Sequence, residues 1–570
     1  MAKKKEELTN DLIIQKIVTE RDQYQQATLE DRNTINEIYQ AYLGSLDDPK
    51  DKSKSQERIM KLRTEVAYIV PSIFSGNPEI EVTPIGQEDA DIANVAEKII
   101  NYRFQTIPQA YEKIEAWVKQ SVVFGTSLLN VVWNFEMKEN EDGKTSSPIK
   151  DEPNFQVPNI LDCFYNPIIP DVECQNSIIF RSVVPVSEVK ENVAYNIKSP
   201  TGGFNRDLVS GKDSMQASKY DSSIQLTSDN INSQQASIGT VEIYDRISED
   251  RIQTFVEGKD RLLLRDVSNP YGINSVKLTH EPNAIPNRFN GFGVGHNTLG
   301  YTRLIQKLSN RLQDAVNLGA NPHFLGRKGA GIDKRQLVVR AGGLTEVDTD
   351  GSLSDAIVPL QVPDIKNGAL ALLNRFDDEH KRAGGANDLL QGSASNKTLG
   401  QDQIANTYSS SRFELINRRF KFSLADVGRI LFKMEVANIQ SIDAPILKIF
   451  PLEAEVQGGK IQYSRETVYQ MLIAAREADD IDLNIRVKGE TNVAKNKDVI
   501  IKQLTELYPE FGPVFPLKNQ MAWARKILEL RGIDGIDELV PSAEDIQAQM
   551  DQQAPKGQPD PNQMQGMYGQ

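Results

Sequence analysis

Seven residues near the middle of the chain, Gly392-Ser393-Ala394-Ser395-Asn396-Lys397-Thr398, have the outline of a phosphate-binding loop. Such a loop wraps backbone N–H groups around phosphates and needs a second glycine directly before its lysine. Asn396 stands in that place, the spacing is one residue short, and a charged helical stretch precedes it where an apolar strand is required. A second candidate, Gly291-Phe292-Gly293-Val294-Gly295-His296, has the first two glycines of a dinucleotide fingerprint. Its third glycine comes early and no βαβ unit surrounds it, so it reads as a strand-to-helix joint. The run Asp377-Asp378-Glu379-His380 offers metal-ligating types. Neighbours on a helix project in different directions and cannot converge on one ion, so a solvated or subunit-facing charge run is expected. The four histidines, His280, His296, His323 and His380, lack metal-ligand spacing, and Cys163 and Cys174 form no CxxC pair. Two cysteines fit a reducing compartment rather than a stapled secreted scaffold. No Ser-His-Asp or Cys-His arrangement can be composed, so the expectation is a protein that is not an enzyme and uses no metal and no cofactor.

Charge says more than the motifs do. The 570-residue chain is 39% hydrophobic and 25% charged, with a formal net charge of −14. Gripping nucleic acid over a whole surface needs Lys and Arg to neutralise phosphates, so the acidic total excludes that mode. A channel through which DNA slides without sticking remains compatible. Against the acidic background, residues 291–344 carry eight basic residues (Arg303, Lys307, Arg311, Arg327, Lys328, Lys334, Arg335, Arg340) and two acidic ones (Asp314, Asp333). A patch of this kind meets phosphates, an acidic partner or neighbouring copies. Lys397 is the only charge between Asp388 and Asp402; a solvent-facing lysine and a transient DNA contact both fit it. Lys3-Lys4-Lys5 runs into Glu6-Glu7 and not into an apolar core, so no signal peptide is expected. The uncharged stretch near Ser121–Phe135 is too short to span a bilayer, so no membrane partner is expected.

The elements that must position these residues follow from periodicity. One helix is predicted from Thr9 or Asn10 to Leu43, polar at its centre and so peripheral, and a second from Ser55, kinked near Pro71. Helices at about 88–106 and 109–123 follow, the latter turning at Gly125 into a strand at 128–133. Short strands are predicted at 177–184, 240–247, 251–256 and 261–267, with Ser199–Gly239 as a long exposed insertion. After Gly291 the helical period returns. Tyr301, Ile305, Leu308, Leu312 and Ala315 form an apolar stripe beside the basic line Arg303, Lys307 and Arg311. A compact glycine-punctuated segment with a strand at 336–340 leads to a helix at about 367–382. The glycine-flanked stretch Gly384–Gly400 comes next, then a helix at about 401–440 with Ile416, Phe420, Leu424, Val427, Leu431 and Met434 on one face. Strands near 446–450 and 483–487, helices near 495–507 and 519–531, and a disordered end from about Gln547 complete the reading. No proline lies between Asp364 and Ala444.

This ordered set resembles the portal proteins of tailed bacteriophages, especially the short-tailed type. Val118–Trp133 is similar to the family's helix–Gly–strand turn ending in tryptophan. Val157-Pro158-Asn159-Ile160-Leu161-Asp162-Cys163-Phe164-Tyr165-Asn166-Pro167 resembles the segment that follows it. The order helix, glycine-rich segment, helix, glycine-flanked loop, long helix resembles stem, clip, stem, tunnel loop and wing helix. Ile485-Arg486-Val487-Lys488-Gly489 resembles the return strand before a crown. The resemblance implies an α+β portal fold. Its parts would be a wing at 1–292, stem helix at 293–320, clip at 321–363, second stem helix at 364–383 and tunnel loop at 384–400. Long wing helix and return strands would occupy 401–494, a short helical crown 495–546 and a disordered tail 547–570. It implies a dodecameric ring at one capsid vertex, through which double-stranded DNA is driven in by a terminase ATPase and later leaves. Implied partners are the terminase large subunit, major capsid and scaffolding proteins and a tail adaptor. Asn396, Lys397 and Thr398 would sit at the channel constriction. Arg327, Lys328, Lys334 and Arg335 would face terminase or adaptor, and Arg303, Lys307 and Arg311 would line one face of the first stem helix. The insertion 199–239 has no clear counterpart in the resemblance. The alternative reading is another virion neck or tail-tube structural protein.

Overall fold

A computed structural model describes residues 10–46, 57–74, 78–84, 89–139, 146–199, 202–210, 239–282, 284–320, 324–326, 357–359, 366–385, 399–450, 452–456, 459–478 and 483–487, with a few isolated positions besides. The chain divides into units of residues 1–488 and 489–570. In the second, helical backbone is described only at isolated positions such as Thr505, Gln520 and Trp523–Arg525. The crown helices predicted at 495–507 and 519–531 are thus described only at such positions, and the tail from Gln547 lies outside the described residues.

The first unit is α+β, with every described strand pair antiparallel. Its helices are α1 (Asn10–Ala27), α2 (Leu29–Leu43), α3 (Lys61–Ile73), α4 (Ala90–Thr106), α5 (Ala110–Phe124), α6 (Val186–Glu191), α7 (Val294–Ala320), α8 (Lys366–Gly384), α9 (Leu399–Asn438) and α10 (Arg465–Ala478). Two helices, not one, cover the N-terminal stretch. The break falls at Thr28, whose φ of −106° and ψ of 13° leave the helical region. Its hydroxyl bonds the Tyr24 carbonyl and accepts Arg32 Nε, and Arg32 reaches on to the carbonyls of Leu161 and Cys163. Nor is α1 peripheral: Ile13, Ile14, Ile17 and Tyr24 are buried with Phe164, Ile179, Tyr244, Phe255 and Leu263 of the β-rich part.

That part is a five-stranded sheet in the order β4 (Cys163–Phe164), β5 (Ile178–Pro185), β6 (Thr240–Ile247), β7 (Arg251–Glu257) and β8 (Arg261–Ser268). The residues at the start of the expected exposed insertion are partly packed: Asn205 is buried and donates to the Leu263 carbonyl, and Val209 joins Val241, Val256 and Leu264. Residues 211–238 lie outside the described residues. A three-stranded sheet sets β2 (Thr126–Glu139) between β3 (Ser146–Gln156) and β9 (Ser275–Thr279). β1 (Ile80–Pro84) pairs with β14 (Leu483–Val487), joining positions about four hundred residues apart in a two-stranded ladder. The strand expected at 446–450 is instead a 3-10 turn, Pro445–Ile449, with proline in its first turn. A hairpin of β12 (Leu452–Val456) and β13 (Gly459–Tyr463) follows it.

The main core forms where α3, α4 and α5 meet α9. Phe420, Leu424, Val427, Leu431 and Met434 are buried, as the period of three and four requires. The Phe420 ring lies 5.8 Å from Phe74 and 6.1 Å from Trp117. Full burial of each such side chain contributes about 1.5–3 kcal/mol. Trp117 also ties the helix–Gly–strand turn: Ser127 Oγ donates to the Trp117 carbonyl and the indole N–H faces the Ser127 carbonyl. Within the core Arg103 Nε donates to Glu435 at 2.5 Å, linking α4 to α9. Burial raises the Glu435 carboxyl above its ordinary value, against the pull of Arg103.

Candidate functional site

α7 and α8 are the two struts that frame the glycine-rich middle of the chain. Far from one another in sequence, Thr302 of α7 and His380 of α8 touch, while β10 (Phe324–Gly326) and β11 (Ile357–Pro359) pair where the helices' other ends are joined. The two helices are thus antiparallel neighbours. α7 starts at a glycine joint that needs close approach. A Cβ on Gly293 would lie 2.5 Å from the Gly125 nitrogen and 2.6 Å from the Val122 carbonyl oxygen. The dinucleotide look-alike is therefore a packing device between α5 and α7, as a strand-to-helix joint should be. His296 closes it: its Nδ1 accepts the Gly293 N–H at 3.2 Å, its ring stacks on Phe292, and burial holds its pKa down at about 4.

Along α7 the buried face is polar. Thr298, Thr302, Gln306 and Asn310 are buried at intervals of four, and Asp314 continues the line. Asp314, Asn310 and Gln306 accept the backbone N–H groups of Ser55, Glu57 and Ile59 at 2.8, 3.0 and 3.1 Å, and Gln306 Nε2 donates to the Glu57 carbonyl. Residues four apart on a helix are about 6 Å apart along its axis, and alternate residues of an extended chain nearly so. One row of side chains can therefore read one side of an extended backbone. That is why α3 begins at Lys61 and not at Ser55: the preceding residues give their N–H groups to α7 in place of a helix. The apolar stripe holds only in part, since Ile305 is buried while Tyr301, Leu308, Leu312 and Ala315 are half-buried.

The basic line Arg303, Lys307 and Arg311 lies on the adjacent row. Arg303 is half-exposed and pairs with Glu37 of α2 at 3.1 Å; Lys307 and Arg311 are exposed. The charge run on α8 differs from expectation. Its residues do diverge, Asp377 to Lys61 at 2.6 Å and Glu379 to Arg382 at 3.4 Å. His380, however, is not solvated: it is 1% exposed, with Nδ1 3.2 Å from Glu65 Oε1 and Nε2 3.0 Å from Thr302 Oγ1. Hydroxyl, imidazole and carboxylate in a row mimic a nucleophile–base–acid relay. Thr302 is only 3% exposed, so the row joins three helices and offers no hydroxyl to a substrate. The signal available in sequence was the i, i+4 recurrence of Thr, Thr, Gln, Asn and Asp on α7, which no apolar period would reveal.

The remaining predicted site residues lie outside the described residues: Asn396, Lys397 and Thr398 between α8 and α9, Arg327, Lys328, Lys334 and Arg335 between β10 and β11, and with them the strand expected at 336–340. The cleft of 1330 Å³ between the two sheets is lined by Lys113, Trp133, Arg181, Asp245 and Arg265 among others. Two of its arginines are paired, Arg181 with Asp162 and Glu242 and Arg265 with Asp245. Among the described residues no helix is long and apolar enough to cross a membrane.

Residues 13–152 and 203–446, more than half of the chain, match the phage SU10 portal protein family. The chain belongs to that family. As a phage portal protein it carries the Gly125 turn, both struts α7 and α8 and the whole of α9 within the matched residues. The match breaks after residue 152 and resumes at residue 203. Portal proteins are structural components of the phage particle, which accords with a buried hydroxyl–imidazole–carboxylate row that joins helices.

Proposed function

We propose that the chain is one subunit of a ring-shaped portal at a capsid vertex, conducting double-stranded DNA inward during packaging by a terminase and outward at ejection. The observation that carries this reading is the strut pair. Two antiparallel helices stand side by side, yet Leu304 and Val316 on α7 and Leu370 and Leu372 on α8 are 45–46% exposed in a single copy. Apolar side chains spread along neighbouring helices suit burial against further copies. Head-to-tail contacts that close by rotation give a ring. On this reading α7 and α8 are stem, residues 321–363 the clip toward terminase or tail adaptor, and 384–400 the tunnel loop. Residues 1–292 with 401–494 are the wing, 495–546 the crown and 547–570 the tail, with capsid and scaffolding proteins as further partners. The assembly is homo-oligomeric, taken as dodecameric from the resemblance, and performs no chemistry itself. Net charge of −14 limits how firmly sliding DNA is held, since each phosphate contact adds affinity. Arg303 is engaged by Glu37, and the exposed Arg311 is the better candidate for a DNA- or neighbour-facing role on α7.

Negative-stain images of the purified protein test the reading: single rings with a central hole are expected, and monomers or stacked tubes overturn it in favour of a tail-tube role. Lys397→Ala is expected to leave ring assembly intact and alter DNA packaging or retention. Failure of that variant to assemble would make the 384–400 segment structural and remove the DNA assignment.

A further inference from the structure

β2 runs on past the strand that flanks it on one side. β9 pairs with Thr126–Asn130 of β2, whereas β3 pairs with Asn130–Glu139. The last rung on the β9 side is Val131, whose N–H donates to the Asn274 carbonyl and whose own carbonyl accepts Asn274 Nδ2. Just before Asn274 the chain turns at Gly272, with φ of +72°. Among the described residues no strand continues that side beyond Val131. In an antiparallel strand alternate residues turn both backbone groups to the same side. Val131 faces β9, so Trp133, Phe135, Met137 and Glu139 turn their N–H and C=O groups the same way and form an open edge. The bulge after Glu136 does not disturb this alternation, because the extra residue, Ile149, is on β3.

The opposite edge of this two-stranded ribbon is closed. Pro153 stands across from Trp133 and Pro148 across from Met137, so both turn their nitrogens outward, and neither has an N–H. On the same side the Phe155 N–H is taken by Asn154 Oδ1 at 2.9 Å. Prolines on an outer edge keep a further strand from joining. A ribbon of two strands is marginally stable by itself, and here only the β2 side can take a third.

A second open edge belongs to β14. Ile80 and Val82 of β1 turn toward α4, where Asn101 Oδ1 and Glu97 Oε2 accept their N–H groups at 2.8 and 3.0 Å and Asn101 Nδ2 donates to the Ile80 carbonyl. Their partners across the ladder, Val487 and Ile485, therefore turn the other way, as does Leu483 opposite Pro84. Among the described residues β14 pairs with β1 alone. On both open edges the outward groups recur at every second residue, about 7 Å apart, so the two rows match. Two different surfaces of one chain that fit each other make a heterologous contact, the kind that closes into a ring.

We propose that the open β2 edge of one copy pairs with the open β14 edge of the next, making a strand-to-strand seam between neighbouring copies. This seam presupposes the ring-forming subunit proposed above.

Mass photometry of the purified full-length protein over a concentration series tests the seam. Phe135→Pro and Val487→Pro each remove an outward N–H and leave the ladder behind it in place. Each is expected to raise the concentration for half-assembly at least about tenfold. Phe135→Ala and Val487→Ala keep that N–H and are expected to stay within about threefold of wild type. Asn134→Pro, whose nitrogen faces β3, is expected to lower the denaturation midpoint of the unassembled subunit, and Phe135→Pro to leave it near wild type. Either outer proline variant assembling as wild type does overturns the proposal. So does an alanine variant that fails as its proline counterpart does, because the side chain and not the edge would then be the contact. A Phe135→Pro subunit as unstable as Asn134→Pro also overturns it, by showing that the edge is used within one copy. Wild-type protein that stays monomeric overturns the ring reading itself.

Discussion

Gly293 and Gly300 lie seven residues apart at the start of the same helix, and alanine should act on them with opposite signs. At Gly293 the new Cβ would stand 2.5 Å from the Gly125 nitrogen, 2.6 Å from the Val122 oxygen and 2.9 Å from the Val123 oxygen. All three are backbone atoms, so no rotamer change relieves the clash, and the end of α5 must part from the start of α7 by roughly an ångström. Overpacking of a closed site costs about 1–3 kcal/mol. The upper end is expected here, because the same joint carries the bonds Gly291 N–H to Thr126 Oγ1 at 2.8 Å and His280 N–H to the Gly125 carbonyl at 2.9 Å. Gly300 is exposed and a Cβ there meets nothing within 4 Å. Alanine at a helix interior gains about 0.5–1 kcal/mol over glycine. The two variants should therefore differ by about 3–4 kcal/mol in opposite directions from wild type. Guanidinium denaturation of the unassembled subunit measures this, Gly293→Ala lowering the midpoint and Gly300→Ala raising it. Midpoints that move the same way would refute the close-approach reasoning.

Two further outcomes are expected. Replacing Arg103 by Met leaves Glu435 buried without its partner and should destabilise by about 3–5 kcal/mol. Pairing it with Glu435→Leu should recover most of that loss, and equal denaturation midpoints for the single and double variants would contradict it. His296, held neutral with a pKa of about 4, contributes stability that is complete above its unfolded value near 6.5 and fades as pH falls toward 4. The total is on the order of 3 kcal/mol. His296→Gln should flatten the acid limb of the stability–pH profile, and an unchanged limb would assign that limb to other groups.

Much of the architecture was legible because helices and hairpins advertise themselves locally. The stripe from Ile416 to Met434 matches the buried face of α9, and strands at 240–247, 251–257 and 261–268 fall within a residue of their predicted limits. The failed nucleotide fingerprint at Gly291–Gly295 was correctly a joint, since only backbone proximity explains its glycines. The proline at 445 misled in the other direction: the Ile446–Phe450 run reads as a strand from its apolar residues but turns as a 3-10 helix.

What the sequence determined by itself was the succession of elements, because periodicity and turn residues act between neighbours a few positions apart. The tertiary structure alone decided which faces are inside. It buried Gln306 and Asn310 where the backbone N–H groups of Ile59 and Glu57 needed partners. It broke the first helix at Thr28 so that Arg32 could reach two distant carbonyls. It drew His380 out of an acidic surface run and set it against Glu65, more than three hundred residues away in sequence. Polar burial of this kind is stable only when each group finds its partner, and the partners lie beyond any local window.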